Sequence, residues 1–80
     1  MKLPHNLTGT KLVKSLAALG YEVTRQTGSH QRLKTLQNGE HNITIPNHSP
    51  LKVGTLAAIL DDVANHFGLG REDLLDKINL

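Results

Sequence analysis

The chain has 80 residues, a formal net charge of +2 and no cysteine. A chain of this length supports one hydrophobic core but not two, so we predict a single domain over residues 1–80. The lack of cysteine excludes disulfides and thiolate-bound metal, and it fits a reducing cytoplasm. The sequence shows no signal peptide and no apolar segment of membrane-spanning length, so we predict a cytoplasmic protein with no membrane partner.

The charges are distributed unevenly along the chain. Residues 1–55 carry seven basic and two acidic side chains, a balance of +5, whereas residues 56–80 carry two basic and five acidic ones, a balance of −3. A basic surface attracts polyanions such as RNA. The same charges would also occur on an ordinary solvated surface, so composition alone leaves both interpretations open.

The first elements are a helix and a strand. Thr8 is a suitable N-cap for a helix over residues 9–19, in which leucines recur at a spacing of three to four, and Gly20 follows as a stop. The period then changes to two over residues 21–26, which predicts a half-buried strand. The two sides of this strand would carry Tyr21 and Val23 on one and Glu22, Thr24 and Gln26 on the other.

Two further strands follow, joined by a hairpin. The second is predicted from His30 to Gln37 and the third over residues 42–46, with an Asn-Gly turn signal at 38–39. A two-residue turn would bring cations of the second strand to the apolar face, whereas a three-residue loop over 38–40 pairs Leu33 with Ile45. We therefore predict the three-residue loop.

Two helices complete the chain. One is predicted over residues 54–67, with Gly68 as its stop, and a shorter one over residues 71–78. The apolar stripe of the first is Leu56, Ile59, Leu60, Val63 and Phe67. The predicted fold class is α+β: a helix, a three-stranded antiparallel sheet and a helix, with a short extra C-terminal helix.

His30 is the strongest candidate for chemistry. It opens the second strand after a Gly-Ser turn and shares a face with Arg32 and Lys34. A histidine, with an unperturbed pKa of about 6.5, can take a proton from a ribose 2′-hydroxyl while cations stabilise the charge that grows on the phosphate. Ser29 would add hydroxyl and backbone contacts to phosphate. The alternative is an ordinary surface histidine beside a turn.

Other chemistries find little support in the sequence. No two of the five histidines stand at H-x-H, H-x-x-H or H-x-x-x-H spacing, so we predict no metal site and no cofactor. Nucleophile-elbow and glycine-rich phosphate motifs are missing, which argues against acyl transfer and nucleotide hydrolysis. The preferred register would place His48 opposite His30, as a candidate second acid or base. His66 is expected to interact with the dipole at its helix end.

Three short motifs carry a resemblance to a known family: Gly20-Tyr21, Gly28-Ser29-His30 and the run LKVGTLAAIL over residues 51–60. Over residues 2–67 the chain resembles the HicA family. The signature of that family is a G-S-H triplet that opens the second strand and a K-x-G-T-L-x-x-I-L start to the second helix. Its members are mRNA interferases of HicA/HicB toxin–antitoxin modules, with a fold like that of double-stranded RNA-binding domains.

The resemblance implies that His30 matches the catalytic histidine of the family and that a HicB antitoxin masks its face. The residues predicted to bind RNA are Ser29, Arg32, Lys34 and Lys52. The chain departs from the family at Gln31 and Leu33, where many members have a histidine and an aromatic residue. Its tail over residues 69–80 exceeds the shortest members, and antitoxin docking, self-association and coverage of the core are open as its roles.

Three functions follow as hypotheses. The first is a ribonuclease that cleaves mRNA and so blocks translation. The second is a non-catalytic RNA-binding module that uses the same cationic face. The third is a protein-interaction subunit that uses the acidic final third of the chain.

Overall fold

A computed structural model describes residues 7–47 and 51–80 of the chain. Helix α1 spans Gly9–Leu16 and continues as a 3₁₀ turn over Ala17–Leu19. Strands β1 (Glu22–Thr27), β2 (His30–Thr35) and β3 (His41–Pro46) form an antiparallel sheet in the order β1-β2-β3. Helices α2 (Val53–Phe67) and α3 (Arg71–Lys77) follow. The predicted α+β class and order of elements are confirmed.

Local signals set the ends of the helices. The Thr8 side chain accepts a hydrogen bond from the Lys11 backbone N–H at 3.1 Å, which satisfies one of the donors left free at a helix start. Gly20 and Gly68 follow the first and second helical segments with φ of 83° and 66°. Glycine adopts this left-handed conformation without the strain that a Cβ atom causes, so both helices stop where the sequence predicts.

The core lies on one face of the sheet. Leu33, Ile43 and Ile45 point from β2 and β3 toward the helices and are at most 6 % exposed. Helix α1 approaches β3 so closely that a side chain at Gly9 would collide with the Pro46 carbonyl. The opposite face of the sheet stays open to solvent, because the helices all pack on the apolar side.

Helix α3 closes the core at the C-terminal end. Leu74 and Leu75 of this helix, and Ile78 directly after it, are buried against the other elements. The Arg71 guanidinium also bonds the Asp61 carboxylate of α2 at 2.6 Å. Coverage of the core, one of the three roles considered for the tail, is therefore what the structure shows.

The predicted register of β2 and β3 is wrong by two residues. Leu33 pairs with Ile43, and the connection is a five-residue loop over 36–40. The strand ends early because the buried Thr35 hydroxyl donates to the Leu19 carbonyl at 2.8 Å and accepts from the Gln37 N–H at 3.1 Å. A shift of two leaves every side chain on its predicted face, since side chains alternate with a period of two.

The same shift removes the reason for placing His48 beside His30. In the observed register Pro46, not His48, is the partner of His30. His48 itself lies outside the described residues.

Strand β1 departs from its predicted alternation. Its pairing with β2 is regular at Val23↔Leu33, but Arg25 rather than Thr24 then pairs with Arg32, which makes a β-bulge. The strand is exposed along its whole length, including Val23 at 44 %, so the prediction of a half-buried strand is wrong. Beyond the bulge, Arg25 faces the open side of the sheet.

Candidate functional site

A shallow depression lies on the open face of the sheet, near the turn between β1 and β2. Its volume is about 200 Å³, and five side chains from all three strands line it: Arg25, Thr27, His30, Arg32 and Thr44. Both of its cationic residues are arginines, and none of its lining residues is acidic. The depression is therefore suited to an anionic group.

The turn between β1 and β2 positions His30 at the edge of this depression. Gly28 has a φ of 56° and Ser29 does not have a positive φ, as in a type II′ hairpin turn. The Ser29 carbonyl accepts a hydrogen bond from the Asn47 N–H, which joins the turn to the end of β3. His30 is exposed and pairs with Thr27 across the sheet, so its ring is accessible to a large substrate.

Arg32 lies at the centre of the open face. It pairs with Arg25 on one side and with Thr44 on the other. His30 and Arg32 are two residues apart on β2 and thus share a face, about 7 Å apart along the strand. The structure therefore brings together two of the residues that the sequence predicts for the site.

The other predicted residues lie elsewhere. Lys34 lines a second depression further along the open face, with Glu22 and Thr24, and its Nζ is 3.6 Å from the Glu40 carboxylate. Ser29 lies in the exposed turn, and Lys52 is the exposed N-cap residue of α2. None of Lys34, Ser29 and Lys52 lines the depression at His30. The RNA contacts of these residues stay predictions.

Arg25 is the residue that sequence reasoning missed. A regular alternation from Tyr21 would place Arg25 on the side of Tyr21 and Val23, but the bulge at Thr24 turns it to the side of His30. One signal was present. After Val23 the strand contains no apolar residue, so its pattern cannot assign the two faces beyond that point.

A second cluster of polar side chains lies at the other end of the sheet. The Tyr21 hydroxyl bonds His41 Nδ1 at 2.6 Å, and His41 Nε2 bonds the Asp62 carboxylate at 3.2 Å. Burial raises the pKa of Tyr21 to about 12, with a further contribution from the Asp62 charge, so the hydroxyl keeps its proton and donates. Both nitrogens of His41 are occupied, and its side chain is 17 % exposed.

His66 also belongs to this cluster. Its ring stacks on that of His41 at 4.4 Å, and its Nε2–H donates to the carbonyls of Gln37 and Gly39 at 2.9 and 3.0 Å. The predicted dipole interaction is thus not its principal contact, because the ring bonds the loop between β2 and β3. Both histidines at this end have structural partners.

Two absences concern the described part of the chain. Within residues 7–47 and 51–80, no three histidine, aspartate or glutamate side chains converge so that they could hold a metal ion. No helix in the same ranges is long and apolar enough to cross a membrane.

Comparison with known proteins assigns the family. A family model described as the HicA toxin of bacterial toxin–antitoxin systems matches residues 9–64, which is 56 of the 80 residues. No curated protein and no solved structure matches the chain. The matched segment runs from the start of α1 into α2 and contains His30 and the depression beside it. The chain therefore belongs to the HicA toxin family of bacterial toxin–antitoxin systems.

Proposed function

We propose that this protein is a metal-independent endoribonuclease that binds and cleaves mRNA in the cytoplasm and so blocks translation. The observation that carries the proposal is the exposed His30 ring in a depression that also contains Arg32. Membership of a toxin family supports it, since RNA cleavage is a direct way for a small protein to stop growth. The proposal treats residues 1–80 as a single domain.

The chemistry requires one proton transfer at the histidine and charge stabilisation at the phosphate. In the cleavage step the ribose 2′-oxygen bonds to phosphorus and the bond from phosphorus to the 5′-oxygen breaks. The 2′-hydroxyl proton passes to His30 or to water, and the leaving 5′-oxygen gains one, so the products are a 2′,3′-cyclic phosphate and a 5′-hydroxyl. Arg32 binds the phosphate oxygens and stabilises the charge that grows on them.

The other predicted contacts extend the RNA path beyond the depression. Ser29 would contact phosphate at the turn, Lys34 along the open face and Lys52 at the start of α2. All three are basic or carry a hydroxyl group, and none of the depression's lining residues is Phe, Tyr or Trp. Recognition through phosphate and ribose, rather than through base stacking, is consistent with that composition.

The proposed partner is a HicB-type antitoxin. An antitoxin would neutralise the toxin most directly by covering the open face around His30, because that face is not covered by any helix of the described chain. The toxin–antitoxin family supports the existence of such a partner.

The test is cleavage of end-labelled RNA by the purified chain and by its His30→Ala and His30→Gln variants, in excess chelator. We expect fragments with cyclic phosphate ends from the parent only, because neither substituted side chain transfers protons near neutral pH. The matched control is Lys77→Gln, an exposed change on α3 that should cleave like the parent. Equal cleavage by the His30 variants would refute the assignment.

A non-catalytic RNA-binding module is the second candidate. One observation favours it: His30 is the only imidazole among the residues that line the depression and no carboxylate accompanies it, whereas a concerted reaction uses both an acid and a base. RNA binding by parent and His30→Ala alike, with no cleavage by either, would select this function.

A further inference from the structure

We infer that Arg25 and Arg32 together form a clamp for one phosphate of an RNA backbone. The β-bulge at Thr24 completes this clamp, because it turns Arg25 to the same face as Arg32. The inference rests on the proposed RNA-binding function. It adds a binding residue, Arg25, whose side chain the sequence pattern would have placed on the apolar face of the sheet.

The β-bulge at Thr24 sets the direction of the Arg25 side chain. Arg25 takes the position opposite Arg32 that Thr24 would hold in a regular strand, so the bulge turns the Arg25 side chain to the open face instead of the apolar face. The Thr24 hydroxyl donates to the Arg32 carbonyl at 3.3 Å, which holds the two strands together at this point. Arg25 and Arg32 then line the same depression.

Arg25 and Arg32 are two positively charged residues paired across neighbouring strands. Like charges directly opposite each other on neighbouring strands destabilise a sheet. All seven acidic residues lie in the described part of the chain, and the ion pairs there involve Lys34, His41 and Arg71, not Arg25 or Arg32. An anion between the two guanidinium groups would turn this repulsion into attraction.

The shape of the two guanidinium groups suits a phosphate. A guanidinium presents its donors in a planar fork that matches two phosphate oxygens, and two such forks can hold one phosphate from both sides. The depression is shallow and lies on an open sheet face, so a continuous chain can pass through it. A backbone phosphodiester of single-stranded RNA fits both features, and the clamp places it beside His30.

The experiment measures RNA binding in the full chain with His30→Ala, which prevents cleavage. Arg25→Gln is added to this background, and Lys77→Gln is the control with the same loss of charge. Affinity for a fluorescein-labelled 12-nucleotide RNA is followed by anisotropy over a range of NaCl concentrations. We expect Arg25→Gln to weaken binding about tenfold and to reduce the salt slope by about 0.7, the value for one phosphate contact on a single strand. We expect Lys77→Gln to change neither quantity.

Two further variants test the kind of contact. Arg25→Lys keeps the positive charge but loses the planar pair of guanidinium donors. We therefore expect it to keep the salt slope of the His30→Ala protein, with an affinity about threefold weaker. The melting temperature of Arg25→Gln should be unchanged or higher, because the substitution removes one of two like charges that face each other. If Arg25 were needed for stability, the melting temperature would fall. The loss should be equal for two RNAs of unrelated sequence, since a phosphate contact reads no base. A loss confined to one sequence would overturn the inference.

The outcomes separate this inference from the proposed activity. RNA that is bound in an Arg25-dependent manner but never cut by the parent would sustain the clamp and refute the nuclease. Cleavage by the parent, with Arg25→Gln indistinguishable from Lys77→Gln in binding, would sustain the nuclease and overturn the clamp. A chain that binds neither RNA at any salt concentration overturns both.

Discussion

Histidines occupy both ends of the sheet, and their surroundings are opposite. His30 begins β2 at the open end and is exposed beside Arg25 and Arg32. Within the described ranges its ring forms no hydrogen bond and the two arginines form no salt bridge. His41 begins β3 at the packed end, with both ring nitrogens bonded and a second imidazole stacked on it. The difference separates a side chain that is accessible to a partner molecule from one that holds elements together.

The largest effect is expected at the open end. His30→Ala should lower RNA cleavage by about 10²- to 10⁴-fold, the usual contribution of a positioned acid or base. The melting temperature should stay within the small range of ordinary surface changes, because the ring is exposed. Cleavage rate and thermal unfolding are measured on the same preparations. A large loss of stability would show that His30, like His41, is structural.

At the packed end, around His41, we expect a substitution to lower stability and to leave the RNA function unchanged. His41→Ala removes the partner of the buried Tyr21 hydroxyl, which should lower the free energy of unfolding by about 1–3 kcal/mol, as urea denaturation would show. RNA binding by the folded protein should be unchanged. The control is Tyr21→Phe with His41→Ala. This pair should be less destabilised than the sum of its single changes, since no hydroxyl is left without a partner. Strict additivity would contradict the hydrogen bond.

The folding stability that the packed end provides should also fall at alkaline pH. Burial, and then the Asp62 charge, raise the pKa of Tyr21 from 10.0 to about 12 in the folded protein. The unfolded chain therefore releases this proton first, so the stability from Tyr21 is complete below pH 10 and is lost as the pH rises toward about 12. Urea denaturation across this window should show a steeper decline for the parent than for Tyr21→Phe. Parallel curves of stability against pH for the two proteins would show that the pKa of Tyr21 is not raised in the folded state.

The smallest effect on RNA binding is expected at Lys34. Lys34 faces the same side as Arg32 but lies 3.6 Å from the Glu40 carboxylate and in a different depression. Lys34→Gln should therefore weaken RNA binding by about twofold or less, against about tenfold for Arg32→Gln. Anisotropy titrations of both variants in the His30→Ala background provide the comparison. Equal losses would show that RNA runs along the whole open face.

Local patterns were enough to predict most of the fold. The hydroxyl of Thr8 and the glycines at positions 20 and 68 mark helix ends through contacts within a few residues, so the sequence contains the required information. The faces of β2 were also predicted, because a period of two survives a shift of register by two. The loop between β2 and β3 was not predicted, since Thr35 ends its strand through a bond to Leu19, which is distant in sequence.

The candidate site was predicted in part for the same reason. His30 and Arg32 lie two residues apart on one strand, so their shared face follows from strand geometry alone. Their third companion was predicted as Lys34, whereas the structure places Arg25 there. The role of His41 was not predicted either, because its partners, Tyr21 just before β1 and Asp62 in α2, are about twenty residues away in the sequence.

Periodicity and turn residues are enough to predict the order of the elements, the apolar face of the sheet and the position of His30 at the start of a strand. The neighbours of that histidine depend instead on how the strands pair. A β-bulge is a property of two paired strands, and the apolar residues that could have revealed the turn of β1 are missing after Val23. Arg25 reaches the open face because β2 pairs with it there, and that pairing cannot be derived from either strand alone.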